Sequence, residues 1–223
     1  MCEGLSLDQF NWYNKGRIRT VVRLKWGDIL LESSQQEKIL DAAYTVMARE
    51  GYAQTSLRQI AAEAQVAVSQ ISYHYQNKEG LLLAVARHVT NTYYIYLQQY
   101  LEPGMTPQEI GECFIRLYQE VLKNDPDLFR VLYDLVGLAL WSEPLRLEVR
   151  EIFARFTDRI LNDVFTDEFV EGLGSPYERE TLASLFFGGL FGIGVQSLLE
   201  PDNPMITGSF AALNVILQSE RWN

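Results

Sequence analysis

The side chains best suited to chemistry in this sequence form a short polar run between residues 68 and 74. The amide of Gln70 can pair with two edge atoms of an adenine, and the hydroxyl of Ser69 can bond to a base or a phosphate. Tyr73 and His74 follow about one helical turn later and can reach phosphate oxygens. Side chains of these types can recognise duplex DNA by hydrogen bonding, provided that a helix presents them together.

Motifs that would support catalysis are missing from the sequence. Neither His74 nor His88 has a Glu three residues before it, so the Glu-x-x-His pairs of a di-iron bundle are absent. No Gly-x-Ser-x-Gly elbow and no Walker loop occurs. Two histidines and two cysteines, Cys2 and Cys113, supply neither a zinc site with the usual spacing nor a disulfide framework. We therefore expect no enzyme activity, no metal and no cofactor.

The elements that must position the polar run are helices. From Ser33 to Trp222, apolar residues recur at helical spacing, and Gly or Pro marks the breaks. No segment alternates with a period of two, so we predict an all-α fold. Four helices are predicted first: Ser33 or Ser34 to Gly51, a short helix capped by Thr55 or Ser56, Val68 to Tyr75, and Asn77 to about Tyr100. Later helices are predicted to start near Pro107, Pro126, Pro144, Pro176 and Pro204.

Residues 57–76 have the features of a helix-turn-helix. Ala61 is the small residue needed where the two helices cross, and Gln65 to Ala67 form the turn. Five stretches around this motif closely resemble the amino-terminal domain of the TetR family of transcriptional regulators: Ile39–Ala43, Gly51–Tyr52, Thr55–Ala61, Val66–Tyr75 and Asn77–Leu82. The resemblance covers about fifty residues with matching spacing.

The resemblance implies a homodimer with an amino-terminal three-helix DNA-binding domain, followed by a helical bundle that binds a small molecule and dimerises. We place an extension at residues 1–32, the DNA-binding domain at 33–80 and the ligand-binding and dimerisation domain at 81–223. The expected function is a cytoplasmic regulator, by the family's usual mode a repressor, which binds a palindromic operator and is released by its ligand. The alternative is a helical ligand-binding or adaptor protein that has lost DNA binding.

The resemblance also assigns DNA-contacting residues position by position. Val68, Ser69 and Gln70 fall at the start of the helix that enters the major groove. Phosphate contacts are expected from Thr55, Ser56, Arg58, Tyr73, His74 and Lys78. Tyr73 and His74 could instead pack against neighbouring helices, and Arg58 could form an intradomain salt bridge.

Two positions depart from the family pattern. Gln65 stands where the family usually has Gly, and a residue with a side chain at positive φ costs about 1 kcal/mol. Ala67 replaces the Ser that usually caps the next helix, which loses about 1 kcal/mol of capping. Both changes weaken the recognition unit without removing its contact residues.

Apolar stripes in the second half predict a bundle core. The resemblance implies a cavity between its helices, and the scarcity of charges within the stripes indicates an apolar or aromatic ligand. Its expected wall includes Phe114, Tyr118, Tyr133, Trp141, Phe153 and Phe156. Each of these residues could equally be ordinary core.

The segment from Leu185 to Val195 contains four glycines, each of which costs a helix about 1 kcal/mol. Ser184, Gly188 and Gly192 repeat every four residues and would share one helix face. We predict that this face, together with the helix from Pro204 to Trp222, packs against a second copy as a four-helix bundle.

Charge is unevenly distributed along the chain. The total is −10, but residues 1–100 carry a net +1 and residues 101–223 a net −11, so a DNA-contacting module fits the first part. Residues 1–32 are expected to be a poorly ordered extension or a basic arm that follows the phosphates. The longest near-apolar run, Leu185 to Val195, is shorter than the ~20 residues that span a bilayer, and we expect no membrane partner.

Overall fold

The computed structural model describes residues 34–218, so the predictions for residues 1–32 and 219–222 fall outside the described part. Within it there are ten α-helices and no strand, which confirms the all-α fold. The helices are α1 Gln35–Glu50, α2 Leu57–Ala64, α3 Val68–Tyr75, α4 Lys78–Tyr100, α5 Pro107–Asn124, α6 Pro126–Ala139, α7 Glu143–Asp163, α8 Asp167–Leu173, α9 Arg179–Leu199 and α10 Pro204–Leu213. Short 3-10 helices cover Tyr52–Gln54 and Asn214–Leu217.

Side-chain caps fix where several helices begin. Ser34 and Glu37 form a capping box at α1, and Thr106 and Glu109 form another at α5. Asn77 caps α4 by accepting from the N–H of Gly80 at 2.9 Å. These starts agree with those that the sequence predicts, because each depends on a local polar residue.

The carboxy-terminal helices differ in detail from the prediction. The helix expected from Pro176 begins at Arg179, and the last helix changes from α to 3-10 geometry after Leu213. Helix α8, which spans seven residues after a Thr166 cap, has no counterpart among the helices predicted from the sequence. Two turns are too few for an apolar stripe to repeat, so periodicity gives no signal there.

The first three helices share a small core that sets the angle of α3. Ile39, Ala43 and Val46 of α1 are fully buried, as is Ile71 of α3. The Tyr75 hydroxyl at the end of α3 donates to the Gln36 carbonyl at 2.7 Å. Because α3 is only eight residues long, these contacts stabilise it more than its own hydrogen bonds do.

Helix α4 extends from this core into the bundle of α5, α6, α7 and α9. Arg87 of α4 donates to both carboxylate oxygens of Glu148 on α7, at 2.9 and 2.6 Å. Glu148 is buried, so this bidentate pair satisfies a carboxylate that would otherwise be costly inside the protein. The contact fixes the rotation of α7 against α4 on one side of the bundle.

Candidate DNA-binding surface and effector cavity

The junction between α2 and α3 has the strained geometry that its sequence predicts. Gln65 ends α2 in the left-handed region, with φ 56° and ψ 43°. Ala67 precedes α3 and provides no side-chain cap. The backbone compensates, since the N–H of Val66 donates to the Ala61 carbonyl at 2.9 Å. The helix-turn-helix therefore forms despite both departures.

The amino-terminal turn and outer side of α3 are open to solvent. Val68 and Ser69 are exposed, and Gln70 is half-buried. Tyr73 is 80% exposed. The structure thus brings four of the predicted contact residues onto one accessible helix, at the spacing that base-edge and phosphate contacts require.

His74 is oriented differently from Tyr73. Its ring is half-buried and lies edge-on to Tyr73 at 5.0 Å between ring centroids. Its Nε2 atom is buried and has no hydrogen-bond partner within residues 34–218. This geometry favours the packing role that the sequence left open for His74, whereas Tyr73 is free to reach a phosphate.

Thr55 and Ser56 are engaged within the protein. Thr55 is 4% exposed and its hydroxyl donates to the Gly51 carbonyl at 2.8 Å, so the prediction that its side chain is available to phosphate is wrong. Ser56 is the N-cap of α2: its hydroxyl accepts from the Gln59 N–H and donates to Gln59 Oε1. Ser56 remains exposed at the helix start, where its backbone can still approach DNA.

The two predicted cations have different surroundings. Arg58 is exposed and has no ion-pair partner in the described part of the chain. Lys78 Nζ donates to the Thr55 carbonyl at 2.6 Å and lies 4.2 Å from the ring centroid of Tyr52. Burial lowers the pKa of Lys78 below its ordinary value. Among residues 34–218, Arg58 is therefore an unpaired cation, while Lys78 also stabilises the turn before α2.

The turn before α2 has a hydrogen-bond partner that the sequence does not predict. Asp134 of α6 accepts from the Tyr52 N–H at 2.8 Å. The two residues are 82 positions apart, and no motif links them. Tertiary structure alone brings them together.

An aromatic cavity lies between α4, α5, α6, α7 and α9, close to the predicted place. Its volume is about 30 Å³, roughly one water molecule. Eight aromatic residues line it: Tyr93, Phe114, Tyr118, Phe129, Phe153, Phe156, Phe187 and Phe191. Four of these are among the six predicted wall residues. Tyr93, Phe129, Phe187 and Phe191 were not predicted, although a full assignment of helix faces would have included them.

Tyr133 lies just behind the cavity wall. Its hydroxyl donates to the Phe191 carbonyl of α9 at 3.0 Å, and it lies 3.1 Å from the Tyr118 hydroxyl. Burial raises the pKa of Tyr133 to about 12 and the pKa of Tyr118 well above its ordinary value, so both hydroxyls stay protonated. Gly194 of α9 makes room for the pair, since a Cβ there would lie 2.6 Å from Tyr118 Cε1.

Trp141 does not line the cavity, so that prediction is wrong. It follows α6 in the turn to α7 and is 90% exposed, next to the exposed Leu140. The helix ends at Ala139, and the chain turns outward there. The apolar character of Trp141 does not reveal this, because position in a turn and not residue type decides its burial.

The predicted small-residue face of α9 is accessible. Ser184 and Gly188 are exposed and Gly192 is half-exposed. A Cβ added at Gly188 or Gly192 would meet no atom within 4 Å. The neighbouring Leu185 and Leu199 are also exposed, and so is Met205 of α10. The four glycines of α9 thus divide into Gly188 and Gly192 outside, and Gly189 and Gly194 against the bundle.

Comparison with known proteins identifies the amino-terminal helices. A family model described as bacterial regulatory proteins, tetR family, matches residues 39–85. The match runs from α1 through the first part of α4. It contains the whole helix-turn-helix and the turn held by Asp134.

Longer matches connect the bundle to the same class of proteins. The fatty acid metabolism regulator protein of Bacillus subtilis is 25% identical over 150 residues, covering 65% of this chain and 76% of its own length. The regulator RutR of Escherichia coli K12 is 31% identical over 122 residues, or 54% of this chain and 57% of RutR. The chain therefore spans just over half of RutR.

A solved structure shows the same fold. The TetR transcription regulator of Haloarcula marismortui superimposes with a TM-score of 0.71 at 17% identity, covering 82% of this chain and 96% of that one. The family model, the regulatory relatives and this fold are all consistent with a helix-turn-helix whose second helix, α3, is exposed. These findings support a transcriptional regulator of the TetR family, with the family model covering the amino-terminal residues 39–85.

Proposed function

We propose that this regulator binds a two-fold symmetric operator as a homodimer and represses transcription until an apolar or aromatic effector releases it. The observation that carries the DNA-binding part is the exposed start of α3, with Val68, Ser69, Gln70 and Tyr73 on one short helix. The exposed cation Arg58 lies on the adjacent α2 and supplies charge to a phosphate. The packed core beneath α3 holds these groups in a fixed geometry.

The accessible face of α9 supports the homodimer. Gly188 and Gly192 leave the helix backbone uncovered, and Leu185 and Leu199 flank it with exposed apolar surface. Small residues in one row let a partner helix approach closely, and the flanking leucines then lose contact with water. Gly208 of α10, where an added Cβ would also meet no atom within 4 Å, extends this surface toward the carboxy terminus.

Helix α9 is long and apolar enough to cross a membrane by length and composition. Its other side is packed in the bundle, where Leu182, Phe186 and Leu190 are buried. We favour the dimer interface because a spanning helix would have to expose those residues to lipid and open the bundle core. A cytoplasmic regulator is the corresponding proposal for location.

The aromatic cavity supports an apolar effector. Three hydroxyl-bearing residues line it, Thr90, Tyr93 and Tyr118: the Thr90 hydroxyl already donates to the Ala86 carbonyl at 2.8 Å, and Tyr118 is paired with Tyr133. The Bacillus subtilis relative is named for fatty acid metabolism, and an acyl chain has the apolar character that this lining accepts. At about 30 Å³ the cavity is far below the ~300 Å³ of a typical ligand site, so an effector must separate the helices to enter.

The test of DNA binding is selection of duplexes from a random library by the purified full chain. A symmetric consensus with two half-sites is expected, with centres about one helical turn apart or a multiple of it. Gln70→Ala should relax the base preference at one position per half-site by about 1–3 kcal/mol. Lys123→Ala, on the bundle helix α5, is the control and should leave the consensus and affinity unchanged.

Two outcomes would contradict the proposed DNA binding or the role of Gln70 in it. A Gln70→Ala protein that selects the same consensus with unchanged affinity would remove Gln70 from base recognition. If the unaltered chain is not retained on any duplex at low salt, DNA binding itself is wrong, and the ligand-binding or adaptor alternative stands.

A further inference from the structure

A carboxylate on the bundle holds the turn that precedes the helix-turn-helix. Asp134 Oδ2 accepts from the Tyr52 N–H at 2.8 Å, where the chain passes from α1 to α2. We propose that Asp134 is a positioning residue for DNA recognition, and that through it α6 transmits changes at the effector cavity to α2 and α3. This inference rests on the function proposed above.

The turn from Gly51 to Thr55 is tied together, so a displacement at one end reaches the other. The Thr55 hydroxyl donates to the Gly51 carbonyl, and the Thr55 N–H donates to the Tyr52 carbonyl at 3.1 Å. Lys78 holds the far side by its bond to the Thr55 carbonyl. Ser56 follows immediately and caps α2. The carboxylate of Asp134 therefore acts on the segment that sets where α2 begins.

The opposite side of α6 forms part of the effector cavity. Leu128, Phe129 and Leu132 line it, and Tyr133 bonds to the Phe191 carbonyl of α9. Successive side chains on a helix diverge by about 100°, so Tyr133 and Asp134 contact different partners from one turn of α6. A single rigid helix thus touches the cavity, the predicted dimer helix and the DNA-binding domain.

Because the cavity is small, an effector larger than a water molecule must displace at least one of the five helices that line it. Where the effector pushes Leu132 and Phe129 outward, α6 shifts with them because helices move as units. Ser142, just beyond α6, donates to Glu79 Oε1 of α4 at 2.7 Å and forms a second link on the same side. A shift of α6 therefore pulls on the turn before α2 and on the start of α4.

Asp134 is solvent-exposed, so the effect of its carboxylate on DNA affinity can be distinguished from its effect on the stability of the fold. Exposed hydrogen bonds contribute little to stability because water replaces the lost partner. Removing the carboxylate should therefore leave the fold intact and change the placement of α2 and α3. The stability of the variant and its affinity for DNA should change by different amounts.

The first experiment compares three variants on the operator selected by the unaltered chain. Asp134→Ala should weaken operator binding about five- to tenfold, with thermal stability nearly unchanged. Asp134→Asn keeps an acceptor oxygen and should bind within about twofold of the unaltered chain. Asp127→Ala removes the same charge from the first turn of α6 and breaks the surface pair with Arg130, so it is the matched control for loss of an α6 carboxylate. Equal effects of the two alanine variants, or an Asn variant as weak as Ala, would overturn the positioning role.

The second experiment tests transmission without a known effector. Leu132→Trp overfills the cavity from α6 and should weaken operator binding at least about fivefold by displacing that helix. In the Asp134→Ala background the same substitution should change affinity by a clearly smaller factor, because one of the two links is already cut and only the bond from Ser142 to Glu79 remains. Additive effects would overturn transmission through Asp134. If the larger side chain of Leu132→Trp prevents folding, Leu132→Phe takes its place in this double-mutant cycle.

Amide hydrogen exchange tests the positioning role of Asp134 independently of DNA binding. Asp134→Ala should speed exchange across residues 57–75, whereas Asp134→Asn and Asp127→Ala should not. This readout needs no DNA, so it decides the positioning role even if the chain selects no operator. Unchanged exchange in Asp134→Ala would overturn the inference while leaving DNA binding untouched.

Discussion

At the residue scale, the helix-turn-helix contains two local defects that neighbouring contacts offset. Gln65 adopts φ 56°, and Ala67 leaves the first turn of α3 without a side-chain acceptor. Buried Ile71 and the bond from Tyr75 to Gln36 hold α3 in place nonetheless. Local stability and DNA-contacting capacity therefore reside in different residues, and each can be altered separately.

Ala67→Ser should raise the free energy of unfolding by about 1 kcal/mol, because the new hydroxyl can accept from an unpaired N–H in the first turn of α3. Chemical denaturation followed by circular dichroism measures the change. Ala62→Ser is the control, since a hydroxyl in the exposed interior of α2 caps nothing. An Ala67→Ser protein no more stable than this control would show that the first turn of α3 is already satisfied.

His88 should make stability depend on pH. Burial lowers its pKa to about 4, so between pH 6.5 and 4 the unfolded chain binds more protons than the folded one at this site. The free energy of unfolding should therefore decrease as the pH is lowered from 6.5 to 4, by at most about 3 kcal/mol. Asp41, whose pKa is raised by burial and by Glu37, acts in the opposite direction.

Denaturation of His88→Gln at several pH values tests this assignment. The glutamine cannot titrate, so the decline between pH 6.5 and 4 should become shallower than in the unaltered chain. The remaining slope then belongs to the carboxylates. Parallel curves for the two proteins would exclude His88 as the source.

At the element scale, the sequence predicts those features that depend on residues close together in the chain. Ser34, Asn77 and Thr106 mark helix starts correctly because a cap needs only the next three residues. The bond from Tyr52 to Asp134 and the outward turn at Trp141 depend on contacts between distant segments, which a single sequence does not display. The apolar stripes predict a bundle core and the family resemblance implies a cavity within it, but the small volume of that cavity follows from how the side chains interlock.

The glycine of α9 that is packed most tightly against the bundle gives the clearest test at this scale. Gly194→Ala should destabilise the bundle by about 1–3 kcal/mol, because the new Cβ would displace Tyr118 and Tyr133 and weaken their hydrogen bonds. Gly137→Ala, on the exposed face of α6 and outside the proposed dimer interface, meets open space and should be neutral or stabilising. Thermal unfolding of the two variants distinguishes them. Equal stabilities would mean that α9 does not approach α5 and α6 as closely as described.

At the scale of the whole molecule, charge and symmetry decide how the protein meets DNA. The net −11 on residues 101–223 repels the phosphate backbone, whereas residues 1–100 are nearly neutral. The acidic bundle therefore favours approach through the end that contains α3. A dimer must then set the distance between its two copies of α3 to match successive major grooves.

Gly192→Leu tests whether α9 provides that dimer contact. The side chain projects from the accessible face and should hold two copies of α9 apart, producing monomers by analytical ultracentrifugation with unchanged helical content. Operator binding should weaken at least about tenfold, because a monomer engages one half-site and loses the gain from binding both. Arg150→Leu, on α7, is a control for adding an exposed leucine. A Gly192→Leu protein that remains dimeric with full operator affinity would place the interface elsewhere, since no partner backbone could then lie against Gly192.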